Sequence, residues 1–286
     1  MAQADLPFEL EVVRSPDPAH RLAGRVAIVT GAGTSGELPG TGVAIATLFA
    51  SQGARVGVVD ISSDRAANTV DIIERLGGTG MAVVADITSG EACERSVSQV
   101  VDRFGGLDIL VNNAAIVGGG GDVTSIDEAA WNRVVQVDLN AVMLMSRSAI
   151  PHLRSSEAGA IVNLSSIAGM RGMGSGAYAA AKGGVIGLTY DLAYSHARDG
   201  IRVNCIAPGH LFTPMGNQGG EELRERRRRA GLLGTEGTAW DAAWAALFLA
   251  SDESRWITGV VLPVDAGTTS STALAVQMLE MRSPAP

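Results

Sequence analysis

Short apolar runs alternate along the chain with segments whose apolar residues recur at helical spacing. Val26-Ala27-Ile28-Val29 is the first run, and a glycine-rich stretch follows it. From Val43 to Gln52 the spacing turns helical, and Gly53 closes it. The alternation then repeats. It predicts strand 55–59, helix 64–76, strand 81–85, helix 89–103, strand 107–111, and a long helical stretch over 127–154. Strand 160–164, helix 176–199, strand 201–206, helix 238–250 and strand 259–264 complete the series. Continuous apolar strands separated by helices imply a parallel α/β sheet of about seven strands, wound on both faces by helices. No linker, repeat or low-complexity tract divides it. One domain over residues 24–267 is expected, with an extension at 1–23 and a tail of small residues at 268–286 ending in Ser-Pro-Ala-Pro.

Composition narrows the classes. At 286 residues, 46% of them hydrophobic, the chain can fill one large core. No apolar run approaches the roughly 20 residues of a membrane span. Asp5, Glu9 and Glu11 give the N-terminus no signal-peptide character, so a cytoplasmic location is expected. Cys93 and Cys205 lie apart without metal spacing, as do His20, His152 and His196; no metal site is predicted. A net charge of −8 argues against nucleic acid or an anionic membrane as partner. One detail of the charge stands out: of 22 basic residues, Lys182 is the sole lysine.

The first strand runs into Thr30-Gly31-Ala32-Gly33-Thr34-Ser35-Gly36-Glu37-Leu38-Pro39-Gly40-Thr41-Gly42. A glycine turn between strand and helix lets a pyrophosphate reach backbone N–H groups and the helix N-terminus. Pro39 and Gly40 prevent a helix start at Gly36, so the turn carries about five extra residues before Gly42. Two readings of that insertion stay open: a flap over the adenosine and pyrophosphate, or, favoured, a solvent loop tolerated at little cost. Glu37 points away from the phosphates in either. Asp60 closes the second strand where a carboxylate accepts hydrogen bonds from ribose hydroxyls and repels a 2′-phosphate. Arg65 is the nearest base downstream, so NAD is expected over NADP. Asp86-Ile87 and Asn112-Asn113-Ala114-Ala115 end the next two strands, at the sheet edge where such folds bind ligands.

Tyr178 and Lys182 lie one turn apart on a predicted helix. An ammonium beside a phenol favours the phenolate and so makes a tyrosine usable as a base near neutral pH. A packed tyrosine beside a solvated lysine has the same spacing, and the surrounding motifs separate the two readings. Thr30-Gly31, Gly40-Thr41-Gly42, Asp60, Asp86, Asn112-Asn113-Ala114, Asn140, Ser165-Ser166, Tyr178 with Lys182, Pro208-Gly209 and Thr213 succeed one another along the chain. In their order and spacing the sequence resembles the short-chain dehydrogenase/reductase family, in its short single-domain form, from residue 22 to residue 268.

The resemblance implies a Rossmann-type doubly wound sheet holding cofactor and substrate in one domain. It implies Tyr178 as general acid/base and Lys182 as the group that binds the nicotinamide ribose and tunes the phenol. Ser166 would orient the substrate oxygen, with Ser165 as the competing choice, and Asn140 would hold a water that relays protons from Lys182. Implied cofactor contacts are Gly31, Thr41, Gly42, Asp60, Asp86, Ile87 and Asn113, then Tyr178, Lys182, Pro208, Gly209, Leu211 and Thr213. Met170, Met173, Leu211, Phe212 and Met215 are placed to form an apolar substrate pocket, with His210 either a polar contact there or turned to solvent. Such proteins are commonly homotetramers, or dimers, built on the two long helices.

Glu221 to Arg229 is the one strong charge run. Glu222/Arg226 and Glu225/Arg229 have the favourable i, i+4 order of a solvated helix. An anionic substrate or acidic carrier touching these arginines is the alternative. The leading expectation is an NAD-dependent dehydrogenase of a secondary alcohol, cyclic or steroid-like ones included, or the reverse ketone reduction. A 3-oxoacyl-carrier-protein-type reductase is second, and Asp60 weighs against it because biosynthetic reduction usually draws on NADPH. A non-catalytic NAD-sensing protein is third, and the set Asn140, Ser166, Tyr178 and Lys182 weighs against that.

Overall fold

Every residue of β1 (Val26–Thr30), β4 (Ile109–Asn112) and β5 (Ala160–Leu164) is buried, the signature of strands covered on both faces. The computed structural model describes residues 20–36, 38–118, 120–121, 123–217 and 219–282. Asp5, Glu9, Glu11, Glu37 and the closing Ser-Pro-Ala-Pro lie outside the described residues. With β2 (Arg55–Asp60), β3 (Thr79–Val84), β6 (Arg202–Pro208) and β9 (Val261–Val264), the buried strands form a seven-stranded parallel sheet in the order β3-β2-β1-β4-β5-β6-β9. A second, two-stranded sheet pairs β7 (Leu211–Phe212) with β8 (Gly237–Thr238).

Helices α1 (Thr41–Ser51) and α8 (Ala239–Ala250) pack together on one face; Ile45, Leu48 and Phe49 meet Trp240 and Leu247 in a common core. On the other face α3 (Gly90–Phe104) and α5 (Ala141–Leu153) bury Val97, Val100, Met145 and Leu153 against β1, β4, β5 and β6. Caps match local chemistry: Ser62 and Ser89 accept from the first-turn amides of α2 (Ser63–Arg75) and α3, and Gly105 ends α3 in the left-handed region. Both cysteines are buried free thiols, which burial pushes up to about 11.

The predicted elements recur with ends shifted by at most three residues. Two differences carry information. The stretch 127–154 is interrupted: α4 (Glu128–Val135) and α5 flank a π-helical turn at Gln136–Asn140. The tail also contains α9 (Ala273–Arg282), which packs on α7 (Gly220–Ala230). Ala, Leu, Met and Gln between residues 273 and 279 are good helix formers, a local signal hidden by reading the tail as small residues alone. Among the described residues no helix is long and apolar enough to cross a membrane.

Candidate active site

The C-terminal ends of β1 to β6 surround a cleft of about 1020 Å³. It opens where the strand order reverses, β1 having β2 on one side and β4 on the other. That crevice is the binding place physics favours, because loops diverge there and helix N-termini point into it.

Backbone approach dominates the β1 side. Gly31 has φ +61°, and a Cβ there would sit 2.7 Å from the Ala114 Cα. A Cβ on Gly42 would collide with the Gly31 carbonyl oxygen and the Asn113 amide. Asn113 fastens the loop from across the sheet: its Nδ2 donates to Thr30 O at 2.9 Å and Gly31 O at 3.1 Å, while its Oδ1 accepts from Thr41 Oγ1 at 2.6 Å. Gly40 caps α1 without a side-chain acceptor, and α1 has no acid in its first turn. Its open amides therefore favour an anion. A cradle of this shape and polarity fits a dinucleotide pyrophosphate.

Asp60 is buried and already engaged. Its Oδ2 accepts from Gly33 N at 3.0 Å; its Oδ1 accepts from Ser62 N at 3.0 Å and from Arg65 at 2.8 Å. The inserted loop is anchored on α2 through Thr34 and borders the cleft, while Ser35 and Gly36 within it stay exposed. Thr34 N donates to Arg65 O at 3.1 Å, Asn68 Nδ2 donates to Thr34 O at 3.2 Å, and Thr34, Ser35, Gly36 and Leu38 line the cleft. Asp86 accepts from the Thr88 amide and hydroxyl at 3.0 and 2.7 Å, and these bonds hold its carboxyl below the usual range. Ile87 lines the cleft beside it.

On the β5 side, α6 (Gly176–His196) presents Tyr178 and Lys182 to the cleft, with Nζ 5.6 Å from the Tyr178 ring centroid. Lys182 is only 2% exposed and donates to Leu164 O at 3.0 Å. Both serines line the cleft, and their hydroxyls are engaged differently. Ser165 Oγ donates to Lys182 O at 2.8 Å and ties β5 to α6. Ser166 lines the cleft, with its Oγ accepting only from Ala168 N at 3.1 Å.

Asn140 is the correction. Its amide turns to Gln136 Oε1 at 2.8 Å on its own helix, and it is not among the cleft-lining residues. Two positions along a helical turn is about half a turn, so Asn140 and Asp138 face opposite ways. It is Asp138 that meets the lysine: fully buried, Oδ1 accepting from Ile116 N at 2.9 Å, Oδ2 at 3.7 Å from Nζ. Burial pushes its carboxyl up, opposed by Lys182 and the Ile116 amide. A signal was present in the sequence: an acid among Val134, Val135, Val137 and Leu139 is an acid aimed at the core.

At the end of β6, Pro208, Gly209, His210, Leu211, Thr213 and Met215 line the cleft. Met170 and Met173 do not, and Met173 is 45% exposed, since the chain leaves the site after the short turn Ile167–Gly169. Phe212 lies under the Arg224 guanidinium, 3.8 Å from its ring centroid, outside the cleft lining. His210 is half-buried rather than turned to solvent, and burial together with Arg227 pushes it below the usual histidine range. The charge run is α7, and its arginines sort themselves. Arg224 pairs with Glu236, Arg226 with Glu222, and Arg228 and Arg229 with Glu225. Arg227 instead donates to Gly216 O and lines the cleft, with no carboxylate partner among the described residues.

The family model described as Enoyl-(Acyl carrier protein) reductase matches residues 36–269. The 2,5-dichloro-2,5-cyclohexadiene-1,4-diol dehydrogenase LinX of Sphingobium indicum is 37% identical, over 87% of this chain and 98% of that protein. Cis-4-hydroxycyclohexanecarboxylate dehydrogenase of Sinomonas cyclohexanicum is 36% identical, over 87% of this chain and 98% of that protein. The crystal structure of carveol dehydrogenase from Mycobacterium avium in complex with NAD superposes with a TM-score of 0.82 at 31% identity, covering 88% of this chain and 99% of that one. These relatives are alcohol–ketone oxidoreductases. Fold, motif order and relatives agree, and the chain belongs to the short-chain dehydrogenase/reductase family.

Proposed function

We propose that this protein interconverts a secondary alcohol and its ketone with NAD(H), and that Tyr178 is its general acid/base. The observation that carries the reading is Tyr178 and the buried Lys182 facing one cleft with Ser166, whose hydroxyl donates to no protein group among the described residues. A bound nicotinamide supplies the hydride acceptor or donor. Gly31, Thr41, Gly42 and Asn113 form the cradle for its pyrophosphate, Asp60 faces the adenosine ribose, and Asp86 and Ile87 border the same end. Pro208, Gly209, Leu211 and Thr213 border the nicotinamide end. Ser166 donates to the substrate oxygen and orients it; the Tyr178 oxygen, as phenolate, takes the proton from an alcohol and, as phenol, returns it to a ketone; Lys182 holds the ribose and favours the phenolate.

Asp60 supports NAD over NADP, because its carboxylate borders the adenosine end of the cleft and repels a 2′-phosphate there, with Arg65, paired to it at 2.8 Å, offsetting only part of that repulsion. A kcat/KM ratio for NAD over NADP of about tenfold or more is expected, equivalent to one modest charge repulsion. A panel of cyclic and acyclic secondary alcohols, followed by absorbance of the reduced nicotinamide, tests the whole reading. Turnover with none of them, and no reduction of the matching ketones, overturns it.

Arg227 refines the substrate. A guanidinium on the cleft wall with no carboxylate partner fits a ring alcohol carrying a carboxylate, a chemistry the name of one relative also contains. R227Q is expected to raise KM about tenfold or more for 4-hydroxycyclohexanecarboxylate while leaving KM for its methyl ester unchanged. Equal losses for acid and ester, with weaker NADH binding, would instead place Arg227 on the cofactor. A homotetramer or dimer built on α5 and α6 is supported by Met143, Tyr190 and Tyr194, large side chains left exposed on those helices.

A further inference from the structure

Beyond β6 the chain leaves the main sheet through β7 and comes back through β8, and these two short strands pair, Leu211 with Gly237 and Phe212 with Thr238. Between them runs the segment that carries α7 and, on it, Arg227. Leu223 and Ala230 are the only apolar side chains of α7, and the helix buries none of its residues. Helix α9 packs on it without closing a core, since Leu223 remains 38% exposed. A helix with so little apolar contact depends on polar contacts for its place.

The arginines of α7 divide by face. The side chains of Arg226 and Arg229 are 74% and 66% exposed, against 31% for Arg224 and 34% for Arg228. Arg224, Arg227 and Arg228, at i, i+3 and i+4, therefore share the inward face. Arg224 holds both ends of the segment at once. Its flat face lies on the ring of Phe212, the last residue of β7, with Cζ 3.8 Å from the ring centroid. Its edge forks onto Glu236, which directly precedes β8: Nε donates to Oε1 at 2.6 Å and Nη2 donates to Oε2. A planar guanidinium can offer a face to a ring and an edge to a carboxylate together; an ammonium cannot. Glu236 is 17% exposed, and its hydrogen bond with Arg224 holds it below the usual glutamate range. The other charges nearby are less committed. Glu221 reaches Arg224 at 3.4 Å from an exposed position, and Arg228 stands 4.0 Å from Glu236 but 2.6 Å from Glu225.

Arg227 depends on where that face lies. Its Nη1 donates to Gly216 O, and Gly216 has little latitude. A Cβ there would collide with Leu211 O, and its amide donates to Thr213 Oγ1 at 3.1 Å. Leu211, Thr213 and Gly216 all line the cleft, so a shift of α7 against them would carry Arg227 off the wall. We propose that Arg224 is a positioning residue of the substrate side: by gripping Phe212 and Glu236 it seats α7 so that Arg227 stands on the cleft wall. The effect on turnover rests on the proposed oxidoreductase reading, whereas the seating of α7 is independent of any substrate.

Hydrogen exchange of peptides covering residues 219–230, in the resting protein, tests the seating. E236Q keeps the size of the side chain and removes its charge, and exchange there is expected to become about fivefold faster or more. R224K, which keeps a cation but neither fork nor flat face, should match it. E222Q, which breaks the exposed pair with Arg226, should leave the exchange as it is. Unchanged exchange in E236Q and R224K, or an equal rise in E222Q, overturns the proposal. With 4-hydroxycyclohexanecarboxylate as substrate, E236Q is expected to raise KM about fivefold or more while kcat falls less than about twofold. Because the seat acts through Arg227, R227Q/E236Q should show the KM of R227Q alone, and an additive rise overturns the proposal. An unchanged KM in E236Q, in a protein whose R227Q variant shows a raised one, overturns it as well. Should R227Q itself leave KM unmoved, the carboxylate reading of the substrate fails, and the exchange alone decides the seating.

Discussion

Tyr178→Phe is expected to bind NADH as tightly as the wild type and to lose turnover by about a hundredfold or more, the range general acid–base groups supply. The ring belongs to a small cluster with Val134, Ala177 and Ala181, joined by Ile116, Trp131 and Leu139. Phenylalanine fills the same space, so stability and the cleft wall should survive. What leaves is the hydroxyl alone, and with it the route for the proton. The cradle around Gly31, Gly42 and Asn113 straddles the sheet reversal between β1 and β4 and does not involve that hydroxyl. Fluorescence titration with NADH alongside kcat separates the two properties. Undiminished kcat removes Tyr178 from the chemistry whatever the fold.

Lys182→Arg should be nearly as damaging, although a surface lysine would tolerate it. The side chain is 2% exposed, its amine donates to Leu164 O at 3.0 Å, and Asp138 lies 3.7 Å away. The backbone has no room to retreat, because at Lys182 it is packed so close to Gly169 that a Cβ there would sit 2.6 Å from the Lys182 carbonyl carbon. A guanidinium is broader than an ammonium and directs five donors in a rigid plane, most of which would be left unpaired. Overpacking of that kind costs about 1–3 kcal/mol. Loss of the compact cation beside the phenol should cost turnover by about a hundredfold. Thermal melting reads the first effect and kcat the second. A variant with normal kcat shows that any cation at this position suffices, and the role given to Lys182 falls.

The alternation of apolar runs and helical spacing foretold the sheet, because strands buried on both faces can hardly conceal their composition. Tyr178 and Lys182 were legible for a related reason: they sit one turn apart within a continuous helix, so local spacing puts both side chains on one face, whereas Ser166, in the turn after β5, was indicated only by the family resemblance. The same reasoning misled at Asn140. A regular helix was assumed through a stretch that contains a π turn, and sequence does not disclose which face of such a turn meets α6. Met170 and Met173 failed similarly, since they follow a short irregular turn whose direction is set by packing.

By itself the sequence determined the layer architecture, the strand ends that surround the cleft, and the tyrosine–lysine pair that faces it. Each follows from periodicity or short-range spacing. The tertiary structure alone decided which groups complete the site. Asp138 reaches Lys182 from 44 positions earlier in the numbering. Arg227 alone of its charge run faces the cleft, and the inserted glycine loop is bound to Arg65 and Asn68. The reason is the same in all three: a charge or polar group declares its partner only when burial removes water and forces the choice.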